Sequence, residues 1–257
     1  MTSTSTSSIG AAPEDAAPPA PRHVGQPAWR PSRVRQLARA AMSAALPRRM
    51  FMVRGPKATP GICLTFDDGP HPQHTPRLLD VLREVKVPAT FFVIGKHAER
   101  YPEIVRRIAA EGHVIGHHTY SHTRASEMKN SELLQEVRRT DRVLSEITGK
   151  GSRLFRPPWG KLRAGQFCRL WSAGYGVMLW SADPKDCNCK AVGPVREWFE
   201  RKPLLAGDVV LFHDDQPYAA EVLPELVGDA RRRGLEFVLP GRWISIRSCA
   251  ASTVGRD

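Results

Sequence analysis

The sequence is poor in cysteine, with five thiols among 257 residues and no regular spacing between them. This composition excludes the small secreted scaffolds whose folds depend on a disulfide framework. Cys187 and Cys189 are too close together for an ordinary structural zinc pair, and the sequence has no second pair to complete four ligands. The odd number of scattered thiols favours a reducing compartment.

Long apolar runs are also missing. No stretch reaches the roughly 20 residues that a helix needs to cross a bilayer, and the N-terminal region lacks the charged start and apolar middle of a convincing secretion signal. We therefore expect a cytoplasmic protein.

Acidic residues are scarce at the start of the chain, where Glu14 and Asp15 stand against nine Lys and Arg in the first 60 residues. This region is rich in Ser, Thr, Ala and Pro and has too few large apolar side chains to pack a core. We predict a disordered basic tail over 1–55, a folded domain over 56–247 and a disordered C-terminus over 248–257.

The basic residues of the tail are interpreted as a solvated linker. The alternative is a short amphipathic helix that docks weakly on an anionic membrane surface. Aromatic residues are too sparse among them for a nucleic-acid site, so no nucleic-acid partner is expected. We expect the protein to be a monomer.

Beyond residue 60, short apolar runs alternate with amphipathic segments. The apolar runs predict strands at 62–66, 89–94, 113–117, 153–156, 176–181, 208–213 and 236–239. The amphipathic segments between them predict helices at 75–87, 101–111, 131–148, 162–173, 192–201 and 221–233. Such alternation is typical of a parallel α/β sheet, either open or closed into a barrel.

Unusual polar residues follow these strands rather than lying on the helices. They are Asp67 and Asp68 after the first strand, His117, His118 and His122 after the third, Arg156 and Trp159 after the fourth, Asp183 and Asp186 after the fifth, and His213 and Asp214 after the sixth. The carboxyl ends of the strands of a β/α barrel share one face, where active sites form. The sequence therefore predicts one active site built from several strand ends.

A metal site is predicted within this set. His118 and His122 are four residues apart, which places both imidazoles on one side of a helical turn. With Asp68 they supply two nitrogens and one oxygen, leaving a position open, as in catalytic sites. Zinc suits these ligands, although cobalt, nickel or iron would accept a similar set. Two adjacent carboxylates also call for a metal ion, an arginine or both, and the rest of the chain supplies both.

Five segments in order resemble the motifs of polysaccharide deacetylases. These metal-dependent enzymes of carbohydrate esterase family 4 are built on the NodB homology domain and include chitooligosaccharide deacetylases. The segments are 65–69, 118–122, 156–160, 183–186 and 211–213. The resemblance implies a distorted (β/α) barrel of about seven strand–helix units, and removal of acetyl groups, most readily N-acetyl groups of amino sugars, from a poly- or oligosaccharide.

The resemblance also implies a role for each matching residue. Asp68, His118 and His122 would hold the metal, Asp67 would be the general base, Arg156 would pair with Asp67, His213 would be the general acid, and Asp183 would orient His213. The backbone N–H of Trp159 would help to hold the oxyanion, and Leu211 would line the pocket for the acetyl methyl group. Apart from the resemblance, Trp159, Tyr120 and Trp180 are candidate aromatic walls for a sugar, although Trp180 is more typical of a core residue.

Two positions depart from the family pattern. Cys187 stands where a Trp is usual, which affects the substrate groove more than the chemistry, and His117 stands where Asn is common. We do not expect His117 to be a ligand. A glycan-binding pseudoenzyme is disfavoured because base, acid and ligands are all present; the alternative left open is a hydrolase of small non-peptide amides.

Overall fold

The computed structural model describes residues 33–244 of the chain. In this part the helices are α1 (Arg33–Ala45), α2 (His74–Glu84), α3 (Gly95–Arg100), α4 (Pro102–Ala110), α5 (Asn130–Thr148), α6 (Ala164–Ser172), α7 (Gly193–Arg201) and α8 (Tyr218–Arg232). The strands are β1 (Phe51–Met52), β2 (Gly61–Asp67), β3 (Ala89–Val93), β4 (Val114–His117), β5 (Leu154–Phe155), β6 (Gly176–Met178), β7 (Val209–His213) and β8 (Glu236–Phe237).

The strands form one parallel sheet in the order β1-β6-β5-β4-β3-β2-β7, with β8 paired to β2. An isolated parallel bridge joins Ala182, just after β6, to Val210 of β7, so the sheet curls back on itself. The predicted distorted (β/α) barrel is confirmed. Because all the strands run the same way, their carboxyl ends meet at one rim.

The central strand β2 is buried along its whole length, as expected for a parallel strand covered on both faces. Its apolar side chains meet those of the surrounding helices in a continuous core. The helix α5 illustrates the outer layer, because it turns Leu133, Val137 and Leu144 inward and leaves most of its charged residues exposed.

The predicted N-terminal boundary at residue 55 is wrong. Phe51 and Met52 form β1, which pairs with β6, and both side chains are buried. Met42 packs against the same apolar cluster, and Arg39 of α1 donates to the carbonyl oxygen of Gly160 at 2.8 Å. A strand of two residues is too short to show alternation of apolar and polar residues, so the sequence pattern did not predict β1. The predicted tail over 1–32 and the C-terminus from 248 lie outside the described residues.

None of the helices within residues 33–244 combines the length and the apolar character needed to cross a membrane. The association of the basic segment with an anionic membrane surface stays a prediction.

Truncating Met52 to Ala is expected to lower the free energy of unfolding by about 2 to 5 kcal/mol, because the side chain is 1% exposed and its removal leaves a cavity. Denaturant unfolding of the purified variant measures this. Leu37→Ala is the control, because Leu37 of α1 is 70% exposed and should change little. Equal stability of both variants would show that β1 does not belong to the folded domain.

Candidate active site

The Asp67–Asp68 pair lies where β2 ends at the rim. Both carboxylates are buried, and Asp68 has a φ of 77° in the left-handed region. Successive residues of a strand point to opposite faces, so the change of backbone conformation after Asp67 is what allows both side chains to reach one site. Gly69 follows because a Cβ there would clash with the carboxylate of Asp214.

Arg156, which follows β5, is fully buried and contacts Asp67 directly. Its Nη1 donates to Asp67 Oδ1 at 2.7 Å and to Thr65 Oγ1 at 2.8 Å. Its Nε and Nη2 donate to the carbonyl oxygens of Met178 and Leu179 at 3.0 and 3.1 Å. All three guanidinium nitrogens of Arg156 thus donate hydrogen bonds, and the Asp67 carboxylate is held in an ion pair with Arg156.

Asp68, His118 and His122 converge on one point. The Nε2 atoms of His118 and His122 lie 3.3 and 3.0 Å from Asp68 Oδ1, and one ligand atom from each residue lies within 4.8 Å of the others. His118 Nδ1 donates to the carbonyl oxygen of Arg156 at 2.8 Å, which leaves the Nε2 lone pair free to face the site. This donor set fits a divalent metal with an open coordination position.

The segment that carries the two histidines is not the predicted helical turn. Thr119 and His122 both have positive φ, 66° and 59°, so the chain folds back through left-handed residues and not through a helix. Glu136 of α5 fixes this loop, since its Oε2 accepts from the backbone N–H of Tyr120 and from the N–H and hydroxyl of Ser121. Sequence reasoning missed Glu136 because it is one of four acidic residues along α5 and nothing in its spacing distinguishes it from the others.

His213, at the end of β7, is oriented by Asp186 and not by Asp183. Its Nδ1 donates to Asp186 Oδ1 at 2.8 Å, and its backbone N–H donates to Asp186 Oδ2 at 2.8 Å. Asp183 instead pairs with the ammonium of Lys185 at 2.6 Å. Lys185 has a φ of 63°, and this left-handed residue is followed by the turn that carries Asp186 inward.

The charge state of His213 follows from this contact. Burial by itself lowers the pKa of an imidazole, but the buried Asp186 carboxylate opposes it, and the pKa of His213 is raised well above its ordinary value. The contact with Asp186 therefore favours the cationic form of the imidazole. Asp214, which follows His213, is also buried; burial raises its pKa to about 7, opposed by the hydroxyl of Thr75.

The three residues predicted to contact substrate lie in different surroundings. Trp159 has a φ of 56°, and its ring lies 4.6 Å from that of His122, at the site. Leu211 is a buried residue of β7 beside Thr65. Tyr120 is not brought into the cluster, because its hydroxyl donates to Glu99 and Arg139 covers its ring.

His117 points away from the metal ligands. Its Nε2 lies 2.6 Å from the carbonyl oxygen of Ser152, and its ring packs against Tyr175 in the core. The structure therefore places this imidazole in the interior of the sheet and not among the ligands.

Comparisons with known proteins agree on one family. The polysaccharide deacetylase family model matches residues 54–176. A peptidoglycan-N-acetylglucosamine deacetylase of Bacillus cereus is 39% identical over 136 residues, which are 53% of this chain and 50% of that protein. A chitooligosaccharide deacetylase of Rhizobium leguminosarum bv. trifolii is 34% identical over 178 residues, 68% of this chain and 78% of that protein.

The fold matches as well. The crystal structure of the Bc1960 peptidoglycan N-acetylglucosamine deacetylase superposes with a TM-score of 0.74 at 29% identity, covering 78% of this chain and 95% of that one. This chain spans about half the length of the Bacillus cereus relative and most of the Rhizobium one. The chain belongs to the polysaccharide deacetylase family.

Proposed function

We propose that this chain is a metal-dependent hydrolase that removes N-acetyl groups from amino sugars of a poly- or oligosaccharide. One observation carries the proposal. A buried carboxylate held by a buried arginine, a three-residue metal set and a histidine held by a buried carboxylate all meet at one rim of the barrel. Amide hydrolysis needs these three parts: a base, an electrophilic centre and an acid.

Asp67 would act as the base. The Asp67 carboxylate forms an ion pair with Arg156. Asp67 Oδ2 lies 3.8 Å from Nε2 of the ligand His118, so it would be close enough to take a proton from a water attacking beside the metal ligands. Arg156 would hold the carboxylate in place throughout and would not itself transfer a proton.

His213 would act as the acid. An amine is a poor leaving group unless it is protonated, and the raised pKa of His213 favours the protonated ring that would supply this proton. Asp186 would fix the ring through Nδ1, so that Nε2 carries the proton to be delivered. The backbone N–H of Trp159 would donate to the oxyanion, and Leu211 would line the space for the acetyl methyl group.

Asp68, His118 and His122 would hold the metal, which we propose to be zinc because two neutral imidazoles and a carboxylate suit it. A bound ion supplies Lewis-acid polarisation of the acetyl carbonyl and makes nearby water more acidic.

The substrate is proposed from the relatives, whose names point to peptidoglycan N-acetylglucosamine and to chitooligosaccharides. Both are polymers of N-acetylated amino sugars. The alternative of a small-amide hydrolase is not favoured, because the relatives named above are glycan deacetylases.

Removing the metal is expected to abolish acetate release, and zinc or cobalt should restore it. Acetate is measured with chitooligosaccharides, peptidoglycan fragments and a simple acetamide after treatment with a chelator. We expect turnover of one glycan to exceed that of the acetamide by a wide margin. Full activity in metal-free protein, or a preference for the acetamide, would contradict the proposal.

Two histidine variants sharpen this test. His122→Gln should lose bound metal and turnover together. His113→Gln is the matched control, because His113 precedes β4 and its Nδ1 accepts from the N–H of Ala89, at the opposite end of the strand from the ligands. It should keep both. Equal metal content in the two variants would exclude His122 as a ligand.

A further inference from the structure

Cys187 lies beside the acid–carboxylate pair of His213 and Asp186. One ligand atom from each of Asp186, Cys187 and His213 lies within 4.8 Å of the others. This set is separate from Asp68, His118 and His122, and the proposed reaction makes no use of the thiol.

The local fold builds this cluster with little freedom. Asp186 opens the short 3₁₀ turn Asp186–Asn188 and is fully buried, so its carboxylate is fixed against His213. Cys187 is partly exposed, and the His213 side chain is 12% exposed. An ion can therefore reach the thiol of Cys187 and the imidazole of His213 from solvent. The Asp186 carboxylate is buried behind these two groups.

The three groups are ligands that zinc and related thiophilic ions accept. Three protein ligands and an open fourth position are an ordinary zinc arrangement, and a sulfur ligand favours zinc or cadmium over magnesium or calcium. Burial raises the pKa of the Cys187 thiol to about 11, so the ion must displace a proton when it binds.

We propose that Asp186, Cys187 and His213 form a second, inhibitory site for thiophilic divalent ions. An ion on either ring nitrogen of His213 removes the cationic form of the imidazole, and with it the proton for the leaving amine. The inhibitory effect rests on the proposed function, whereas binding at the cluster does not.

Binding is tested directly with cobalt. Co²⁺ is titrated into metal-stripped protein, and the sulfur-to-cobalt charge-transfer absorption is followed. We expect this band in the unchanged protein and in His122→Gln, where the first site is lost. It should disappear in Cys187→Ser and persist in Cys189→Ser, the control for a thiol two residues away. A band that survives in Cys187→Ser, or no band in the unchanged protein, would overturn the site.

Inhibition is tested by acetate release across a zinc series. Activity should rise as the first site fills and fall at higher zinc. Measured against its own maximum, Cys187→Ser should need at least roughly tenfold more zinc to be inhibited, because a thiolate ligand is lost. Inhibition unchanged by Cys187→Ser would overturn the inhibitory role. No acetate release at any zinc concentration would contradict the proposed function, while the cobalt band would still decide the site.

Discussion

Replacing Asp67 with Asn is expected to remove most acetate release while leaving the metal content unchanged. Asn has nearly the same shape and can still accept from Arg156, but it cannot take a proton from water. Removing a positioned general base usually costs a factor of roughly a hundred to ten thousand. Turnover and metal content of the same preparation are measured together.

Asp68→Asn is the matched control, one residue along the same turn. There a charged ligand is replaced by a weaker neutral oxygen donor, so the metal should be lost and turnover should recover partly when excess metal is added. If Asp67→Asn loses the metal and Asp68→Asn keeps it, the two carboxylates have been assigned the wrong way round.

Arg156→Met is expected to lower the free energy of unfolding by about 3 to 5 kcal/mol, because it leaves the buried Asp67 carboxylate without its partner. Arg156→Lys should also be destabilised, since an ammonium on a flexible stem cannot match a guanidinium that donates to several fixed acceptors. Denaturant unfolding compares both variants with the unchanged protein, and circular dichroism verifies that each one folds.

The double variant Arg156→Met with Asp67→Leu separates the ion pair from simple packing. Removing both charges together should destabilise less than the two single changes summed, because neither partner is left charged alone. Additive losses would show that Arg156 acts through its packing and not through its charge.

The parts of the site that follow directly from strand ends could be predicted from the sequence. Asp67, His118, Arg156 and His213 lie at or just after the carboxyl ends of β2, β4, β5 and β7, and parallel pairing brings those ends together. The prediction needed only the strand positions and the rule that one rim carries them all.

The parts of the site that depend on loop conformation could not be predicted from the sequence. Asp183 and Asp186 are both acidic residues of one loop, and the left-handed Lys185 between them decides which reaches His213. In the same way, His118 and His122 meet through two residues of positive φ, although their spacing also suits a helix. The spacing of residues along the chain does not show which residue other than glycine will adopt a left-handed backbone conformation.

The contact between Arg156 and Asp67 also bears on how the chain folds. The two residues are 89 positions apart, and the guanidinium is satisfied only when β2, β5 and the end of β6 are docked together. Bringing together residues so far apart in sequence costs conformational entropy before their contacts can stabilise the chain. An unpaired guanidinium in a half-formed core is costly to bury, so this rim should be among the last parts of the barrel to consolidate. The late step of folding would then be the one that assembles the reactive groups.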